Sequence, residues 1–403
     1  MTMRWKVVVL LTIMTALAYV QRLSLSAVAT DVSRELHLSK ETLGYVFSMF
    51  TLFYALFEIP GGLLGDRFGT RRTLTWLVAA WSLCTMASAA AEGLASLIVW
   101  RSLLGATEAG TFPNAARALS RWVPSSERGR ALGLTFLGLS VGAAVTTPLL
   151  LALAVACGWR LALVAAAIPG IIWAAVWYWL VRDAPPDLGA SEPRGSDANL
   201  LRVLSRNSNL WRVCGVYFAF GYGIYFYITW MPTYLREARQ FSIGATGTWS
   251  ALLWMSGGAG YLIGGYATDS LLRRYGSMRI ARCGLGAAAY AASAFSLLVV
   301  AATPVAWVAA AALSAAALFQ FAAAPAIWSV CLDIGRERPG SVTGFMNMVG
   351  NIGGTLAPLV VGFSVHRLSS WTIPFVTTAI VFAFGITMWL MVDVAKKIEF
   401  AHR

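Results

Sequence analysis

Apolar stretches of about twenty residues recur from one end of this chain to the other, each long enough to cross the ~30 Å hydrocarbon core of a bilayer as a helix. Such a chain has too little polar surface to cover a soluble domain. Only 12% of its 403 residues are charged and 58% are hydrophobic, against roughly 25% charge in soluble proteins. In hydrocarbon each backbone N–H and C=O must be satisfied within its own segment, so the expected fold class is all-α integral membrane.

Windows bounded by charged or turn residues give twelve spans, at 6–29, 42–65, 73–91, 96–120, 129–155, 160–181, 211–235, 244–268, 279–302, 304–331, 341–364 and 372–395. The first begins at Lys6 like a signal peptide but lacks a small-residue cleavage site, so it reads as a retained helix. One long hydrophilic stretch, Arg182 to Arg212, is rich in Pro, Gly, Ser and Asp and leaves six spans on either side. The expected organisation is an N-terminal six-helix half (1–182), a cytoplasmic linker (183–210) and a C-terminal six-helix half (211–403). Each half has a glycine, acid and arginine cluster after its second span, GGLLGDRFGTRR at Gly61 to Arg72 and GGYATDSLLRRYGSMR at Gly264 to Arg279. Matching clusters at matching positions indicate an internal duplication.

The 31 basic residues exceed the 18 acidic ones, a net charge of +13, and such an excess has to be read by position. Alternating the spans puts 22 basic residues on the side of both termini and the long linker, and six on the other: Arg34, Lys40, Arg160, Arg236, Arg239 and Arg367. The positive-inside rule then makes the first side cytoplasmic. The excess marks topology in a multi-pass protein of the plasma (inner) membrane, and no nucleic-acid partner is implied. Arg22, Arg101 and Arg117 are left inside the spans, with Glu58 and Glu108. Ionisable groups in lipid cost at least a few kcal/mol, so each is expected to face a cavity or a partner.

Several chemistries are excluded. The five cysteines (Cys84, Cys157, Cys214, Cys283, Cys331) have no CxxC spacing and read as small core residues. His37, His366 and His402 lie at loops or the terminus, so neither a metal site nor a Ser/His catalytic site is apparent. No GxxxxGK[ST] loop for an ATP-driven pump is present. The expectation is a non-enzyme without metal or cofactor.

The first cluster, with Gly62, Asp66, Arg67, Gly69, Arg71 and Arg72 and a degenerate copy at Asp269, resembles the signature loop of the major facilitator superfamily. That resemblance implies two six-helix halves working by alternating access, with the loop in a gating charge network; topology alone is the other reading of its arginines. Four further stretches are AYVQRLSLS (Ala18 to Ser26), RSLLGATEAGTFPNAARALSRWVPSSERGRA (Arg101 to Ala131), YFAFGYGIYFYITWMPTYL (Tyr217 to Leu235) and GFMNMVGNIGGTLAPLVVG (Gly344 to Gly362). Together they resemble the anion:cation symporter family, whose members include bacterial galactonate and hexuronate carriers and the animal sialic-acid and vesicular glutamate carriers. This implies carboxylate transport, commonly with protons, with Arg22 as the substrate-carboxylate arginine and Glu108 as the protonatable glutamate. One position departs from the family: where its first helix usually has an acid, this chain has Gln21.

Read from the residues, Arg22 lies about 10 Å below the outer end of its span, too deep for snorkelling. Its planar fork suits a carboxylate or phosphate; the alternative is a structural pair with an acid on a neighbouring helix. Tyr19 and Ser26 share its face, and Gln21 and Tyr54 are grouped with them as substrate-facing. Glu108 sits about 17 Å into the fourth span, where a desolvated carboxyl is suited to taking up and releasing a proton; the alternative is a permanently ionised partner for Arg22 or Arg101. Arg101 reads as structural, and Arg117 as joining the loop network. Glu58, one turn from Tyr54, is either a second proton-coupling acid or a partner for backbone groups around Pro60. In the second half, Asn347 with Asn351 and Tyr222 with Tyr225 are helix-spaced pairs that either line one cavity face or bind helices together, with Gln320 and Trp328 as weaker wall candidates. Asp333 beside Arg336 reads as a solvated pair.

The leading functional reading is proton-coupled symport of a small organic anion, a sugar acid or related carboxylate, by a monomeric carrier in a lipid bilayer. An organophosphate or phosphate antiporter of the same fold is the runner-up. A drug-efflux antiporter fits less well, because the fifth span (Gly133, Gly138, Gly142, Pro148) lacks a tight glycine-proline run. A non-transporting sensor would carry a signalling domain, which the short tail after Asp393 does not supply.

Overall fold

The computed structural model describes residues 3–123, 128–183, 200–335 and 339–398, and every regular element among them is helical. In chain order these are α1 (Met3–Ala27), α2 (Ala29–Glu35), α3 (Lys40–Phe68), α4 (Thr70–Ser88), α5 (Leu94–Glu108), α6 (Thr111–Trp122) and α7 (Arg128–Leu180). Then follow α8 (Leu200–Arg206), α9 (Ser208–Thr229), α10 (Met231–Thr233), α11 (Ile243–Tyr275), α12 (Leu285–Ala302), α13 (Ala306–Gly335), α14 (Pro339–Arg367) and α15 (Thr372–Met391), with π-helical turns at Tyr234–Ala238 and Arg279–Gly284. Of the expected linker, residues 184–199 lie outside the described residues.

Six helices among the described residues are apolar and long enough to cross a membrane, and the bent pair Ser208–Thr229 and Met231–Ala238 makes a seventh. One of the six, Gly133–Leu180, contains a turn at Gly158 (φ 82°), between the spans expected at 129–155 and 160–181. The remaining expected spans are helical but diluted by polar side chains: α3 carries Lys40, Glu41 and Glu58, α5 carries Arg101 and Glu108, and α11 ends in Asp269, Arg273 and Arg274.

Two spans expected to be continuous are broken, each just before a proline. The fourth stops at Glu108 and restarts at Thr111. Pro113 cannot donate to the Ala109 carbonyl and its ring crowds it, so the ladder is interrupted there. The seventh bends by 53° between α9 and α10, where Pro232 withdraws the same donor one turn after Ile228.

The chain divides into two compact units. The first holds Met1–Arg194 together with Ile228–Glu237 and Phe241–Ala251; the second holds Gly195–Tyr227, Ala238–Gln240 and Leu252–Arg403. In the first, α1 runs along α7, and α5 packs against α3 and α4. Backbones meet at glycines: a Cβ on Gly105 would strike the Phe50 carbonyl, and one on Gly142 the Ala16 carbonyl. Small residues allow such close approach where lipid removes the hydrophobic drive between helices. Ion pairs close one end of this unit, Lys40 Nζ to Glu237 Oε1 at 2.6 Å, Arg236 Nη1 to Asp31 Oδ2 at 3.4 Å and Arg160 Nη2 to Glu35 Oε1 at 3.1 Å.

In the second unit, α9 meets α14 through Gly221, Gly350 and Gly353, and α11 meets α13 through Gly260 and Gly264. Asp333 is half-buried and pairs with Arg282 at 2.7 Å rather than with Arg336, which lies outside the described residues. Four of the five cysteines are buried as expected, whereas Cys157 is exposed, one residue before the Gly158 turn.

The glycine contacts generate a stability test. Gly105→Ala sets a methyl against a backbone oxygen that has no rotamer to escape into, and overpacking of this kind costs about 1–3 kcal/mol. It should lower the melting temperature of the detergent-purified protein, while Gly265→Ala, which faces open space, should change stability by less than about 0.5 kcal/mol.

Candidate anion and proton site

The first unit gathers its buried charges around α1. Arg22 donates from both Nε and Nη2 to a single oxygen, Glu108 Oε1, at 2.9 and 2.6 Å. Glu108 Oε2 is buried and accepts no hydrogen bond from any described residue. Glu108 is 0% exposed and Arg22 5% exposed. At that depth the attraction of the pair has to repay the desolvation of both ions, which is why removing one partner of such a pair is costly.

Aromatic rings surround the guanidinium: Tyr19, Phe50 and Tyr54 have their centroids 4.9, 5.1 and 4.8 Å from Arg22 Cζ. Cation–π attraction strengthens when both groups are dry. Arg101 is also buried, lies 4.9 Å over the same Phe50 ring, and donates from Nη2 to the Arg22 carbonyl at 3.2 Å. Phe50 is thus shared by two guanidiniums.

Helical spacing assembles the site from three elements. Tyr19 and Arg22 are i, i+3 on α1, Phe50 and Tyr54 are i, i+4 on α3, and Arg101 and Glu108 are two turns apart on α5. Gly105 lets α5 approach α3 at the level of Phe50 and Tyr54. Glu108 is the last residue before the break, and its carbonyl is taken up by the Thr111 hydroxyl at 2.6 Å.

The other residues singled out by the sequence have their own surroundings. Gln21 turns toward α4 and α7, where Nε2 donates to Ser82 Oγ at 3.2 Å and Gly170 leaves room for it. Its Oε1 is buried without a hydrogen-bond partner among the described residues. Ser26 donates to its own helix at the Leu23 carbonyl. Glu58, one turn beyond Tyr54 on α3, is half-buried. In the second unit, Tyr222 and Tyr225 are buried on α9, Tyr222 bonding Thr377 of α15 through its hydroxyl. Asn351 is buried and Asn347 half-buried on α14, on either side of the Gly350 contact with Tyr217. Gln320 is buried and donates to the Phe220 carbonyl at 2.8 Å, and Trp328 meets Tyr217 edge-on at 6.0 Å.

At the signature loop, Gly69 has φ 80° and separates α3 from α4. Asp183 Oδ1 accepts from the Arg71 backbone N–H at 2.7 Å, so a carboxylate sits at the N-terminus of α4, where it complements the helix dipole. The Arg71 side chain donates to the Tyr178 carbonyl and lies over the Tyr178 ring. A Cβ on Gly62 would just reach Pro113, while Asn114 donates to the Gly61 and Gly110 carbonyls, tying α3 to α6. Arg67, Arg72 and Asp269 are exposed, and the Asp66 side chain lies outside the described residues. Arg117 is within electrostatic reach of Arg121 and Asp183.

Three contributors escape a reading by residue type. Phe50 has no polar atom, although its i, i+4 relation to Tyr54 was available as a signal. Ser82 is one of many serines in apolar windows, and Asp183 stands at the start of what reads as a solvated linker.

Comparison with known proteins agrees with this architecture. Residues 11–358 match the family model of the Major Facilitator Superfamily. A probable sulfoacetate transporter of Cupriavidus necator is 31% identical, with 94% of this chain and 91% of that protein covered. A hexuronate transporter of Bacillus subtilis is 28% identical (88% and 86% covered), and a D-galactonate transporter of Escherichia coli is 28% identical (89% and 89%). Among solved structures, a bacterial homologue of the human lysosomal transporter Spinster, inward-facing and unoccupied, matches with a TM-score of 0.78 at 19% identity, 97% of each chain covered. The chain belongs to the major facilitator superfamily, a family of membrane transporters rather than enzymes.

Proposed function

We propose that this protein carries a small organic anion, a sugar acid or related carboxylate, across the plasma (inner) membrane by proton-coupled symport with alternating access. Twelve spans in two six-helix halves, 1–182 and 211–403, joined by the 183–210 linker and with both termini cytoplasmic, make up a monomeric carrier. The observation that carries the reading is the buried Arg22–Glu108 pair, in which one oxygen of a water-excluded carboxylate takes both bonds of a guanidinium fork. The names of the relatives support the cargo class, since sulfoacetate, hexuronates and galactonate are all organic anions.

Coupling follows from competition for Arg22. A substrate carboxylate engages the same fork that Glu108 occupies, because a guanidinium binds carboxylates best with two parallel N–H donors. Displaced from its cation in a dry site, the Glu108 carboxylate is costly as an ion and takes up a proton instead. Proton and anion therefore load together. When the anion leaves, Arg22 recaptures the carboxylate and the proton is expelled. The aromatic rings of Tyr19, Phe50 and Tyr54 hold the guanidinium through both states.

Two experiments test this. In proteoliposomes carrying D-glucuronate or D-galactonate, Glu108→Gln should abolish accumulation driven by an outside-acid pH gradient while leaving counterflow exchange; normal accumulation by this variant refutes the assignment. Arg22→Ala leaves Glu108 buried beside one cation fewer, and breaking such a pair costs about 3–5 kcal/mol. The single variant should melt well below wild type and lose ligand-induced thermal stabilisation, which for wild type at 100 times Kd is about 2.7 kcal/mol. Adding Glu108→Gln to Arg22→Ala should recover melting temperature without recovering the ligand shift.

A further inference from the structure

Two exposed stripes of the first unit end at one level. On α4, Arg72, Trp76 and Leu83 fall on a single face of the helix, and all three are exposed, Trp76 at 74%. On α7, Ile172, Val176 and Trp179 form a second such face, with Trp179 80% exposed and Arg182 exposed just beyond the helix end. The two helices pack side by side and antiparallel: a Cβ on Gly170 would meet Ser82, whereas Tyr178 lies under Arg71. Each stripe therefore runs from aliphatic side chains through a tryptophan to an arginine, toward the same end. An indole with an apolar ring and one polar N–H settles at the headgroup level of a bilayer, which leaves the arginines beyond it at the level of the phosphates.

The cations at this end are uncommitted. The Arg72 and Arg182 side chains make no hydrogen bond or ion pair among the described residues, and Arg71 uses only Nε, on the Tyr178 carbonyl at 2.8 Å. The chain that carries Arg182 is nevertheless fixed: its carbonyl accepts from Trp122 Nε1 at 3.1 Å, and Asp183 Oδ1 accepts from the Arg71 backbone N–H at 2.7 Å. Arg72 and Arg182 are each one residue from that last contact. Asp183 is already engaged by the start of α4, so it is not free to receive the ammonium group of a zwitterionic lipid. The duplicated cluster differs. On α11 the exposed Arg273 has the exposed Asp269 one turn before it, a counter-charge of its own.

We infer that the paired ends of α4 and α7 bind an anionic phospholipid, its phosphodiester held by the guanidiniums of Arg72 and Arg182 beside Arg71 and its glycerol region flanked by Trp76 and Trp179. Guanidinium forks suit phosphate oxygens, and basic pockets between membrane helices select anionic headgroups. A role in topology alone needs charge but is indifferent to lipid identity. This site is separate from the proposed cargo site on α1, α3 and α5, and it does not depend on the transport reading.

Native mass spectrometry of the delipidated full chain, titrated with dioleoyl phosphatidylglycerol, phosphatidylethanolamine or phosphatidylcholine, tests this. The first phosphatidylglycerol should bind more tightly than either zwitterionic lipid, and raising the ionic strength should weaken it. Each arginine beside an anionic headgroup is worth about fivefold in affinity. Arg72→Gln with Arg182→Gln should therefore weaken the first phosphatidylglycerol about twenty-five-fold and bring it level with phosphatidylcholine. Both side chains are exposed and unpaired, so the melting temperature should match wild type. Arg72→Lys with Arg182→Lys keeps the charge without the fork and should fall between wild type and the Gln pair. Arg273→Gln with Arg274→Gln, an equal loss of charge on α11, should leave the preference intact. Equal binding of the three lipids by wild type, or equal loss in the two Gln pairs, overturns the site. Displacement of bound phosphatidylglycerol by an equal concentration of inorganic phosphate or glycerol 3-phosphate makes it a site for soluble phosphate and overturns the lipid assignment.

Discussion

The first unit depends on one constraint: two ions placed where there is no water must find each other with good geometry. Arg22 and Glu108 belong to different helices, 86 residues apart, and their contact requires α1 and α5 to stand at a fixed depth and rotation. Much of the surrounding packing follows from that requirement. Gly105 permits α5 to press against the α3 backbone beside Phe50, and Phe50 then lies against both Arg22 and Arg101. Arg101 donates to the Arg22 carbonyl, so the second cation braces the helix that carries the first. Aromatic rings suit this environment because they solvate a guanidinium without an opposing charge.

The overall architecture was largely legible in the chain. Hydropathy windows mark segments that are helical in the structure, because the bilayer imposes length and apolarity on every span. The site was legible in part. Arg22, Glu108, Tyr19 and Tyr54 stand out through charge at depth and helical spacing, and the structure brings all four together. Gln21 shows what sequence adjacency conceals. Successive residues on a helix are rotated by about 100°, so the neighbour of Arg22 faces α4 and α7 instead of α3 and α5. The breaks at Ala109–Gly110 and Trp230 were missed because hydropathy is blind to backbone donors; Pro113 and Pro232 were the available signals.

Charges at the ends of the spans carry two kinds of information that a count merges. The basic residues assigned to the non-cytoplasmic side are few, and the structure pairs Lys40, Arg160 and Arg236 with Glu237, Glu35 and Asp31. Arg239 instead donates to the Val300 and Thr303 carbonyls at the end of α12. Residues that enter a topology count as bare cations are therefore engaged in holding segment ends. At the signature loop the same holds for Arg71, whose backbone meets Asp183 and whose side chain meets Tyr178. An arginine there serves through its position on a capped helix as well as through its charge.

The two units divide the chemistry unequally. Among the described residues, the first contains the buried Arg and Glu side chains, Arg22, Arg101 and Glu108. The second, among its described buried residues, offers amides, hydroxyls and aromatic rings, including Asn351, Gln320, Tyr222, Tyr225 and Phe321 with Trp254. Neutral donors and acceptors can recognise hydroxyl groups on a cargo, but they cannot compensate a second negative charge in low dielectric. The buried ions thus reside in one small cluster on α1, α3 and α5.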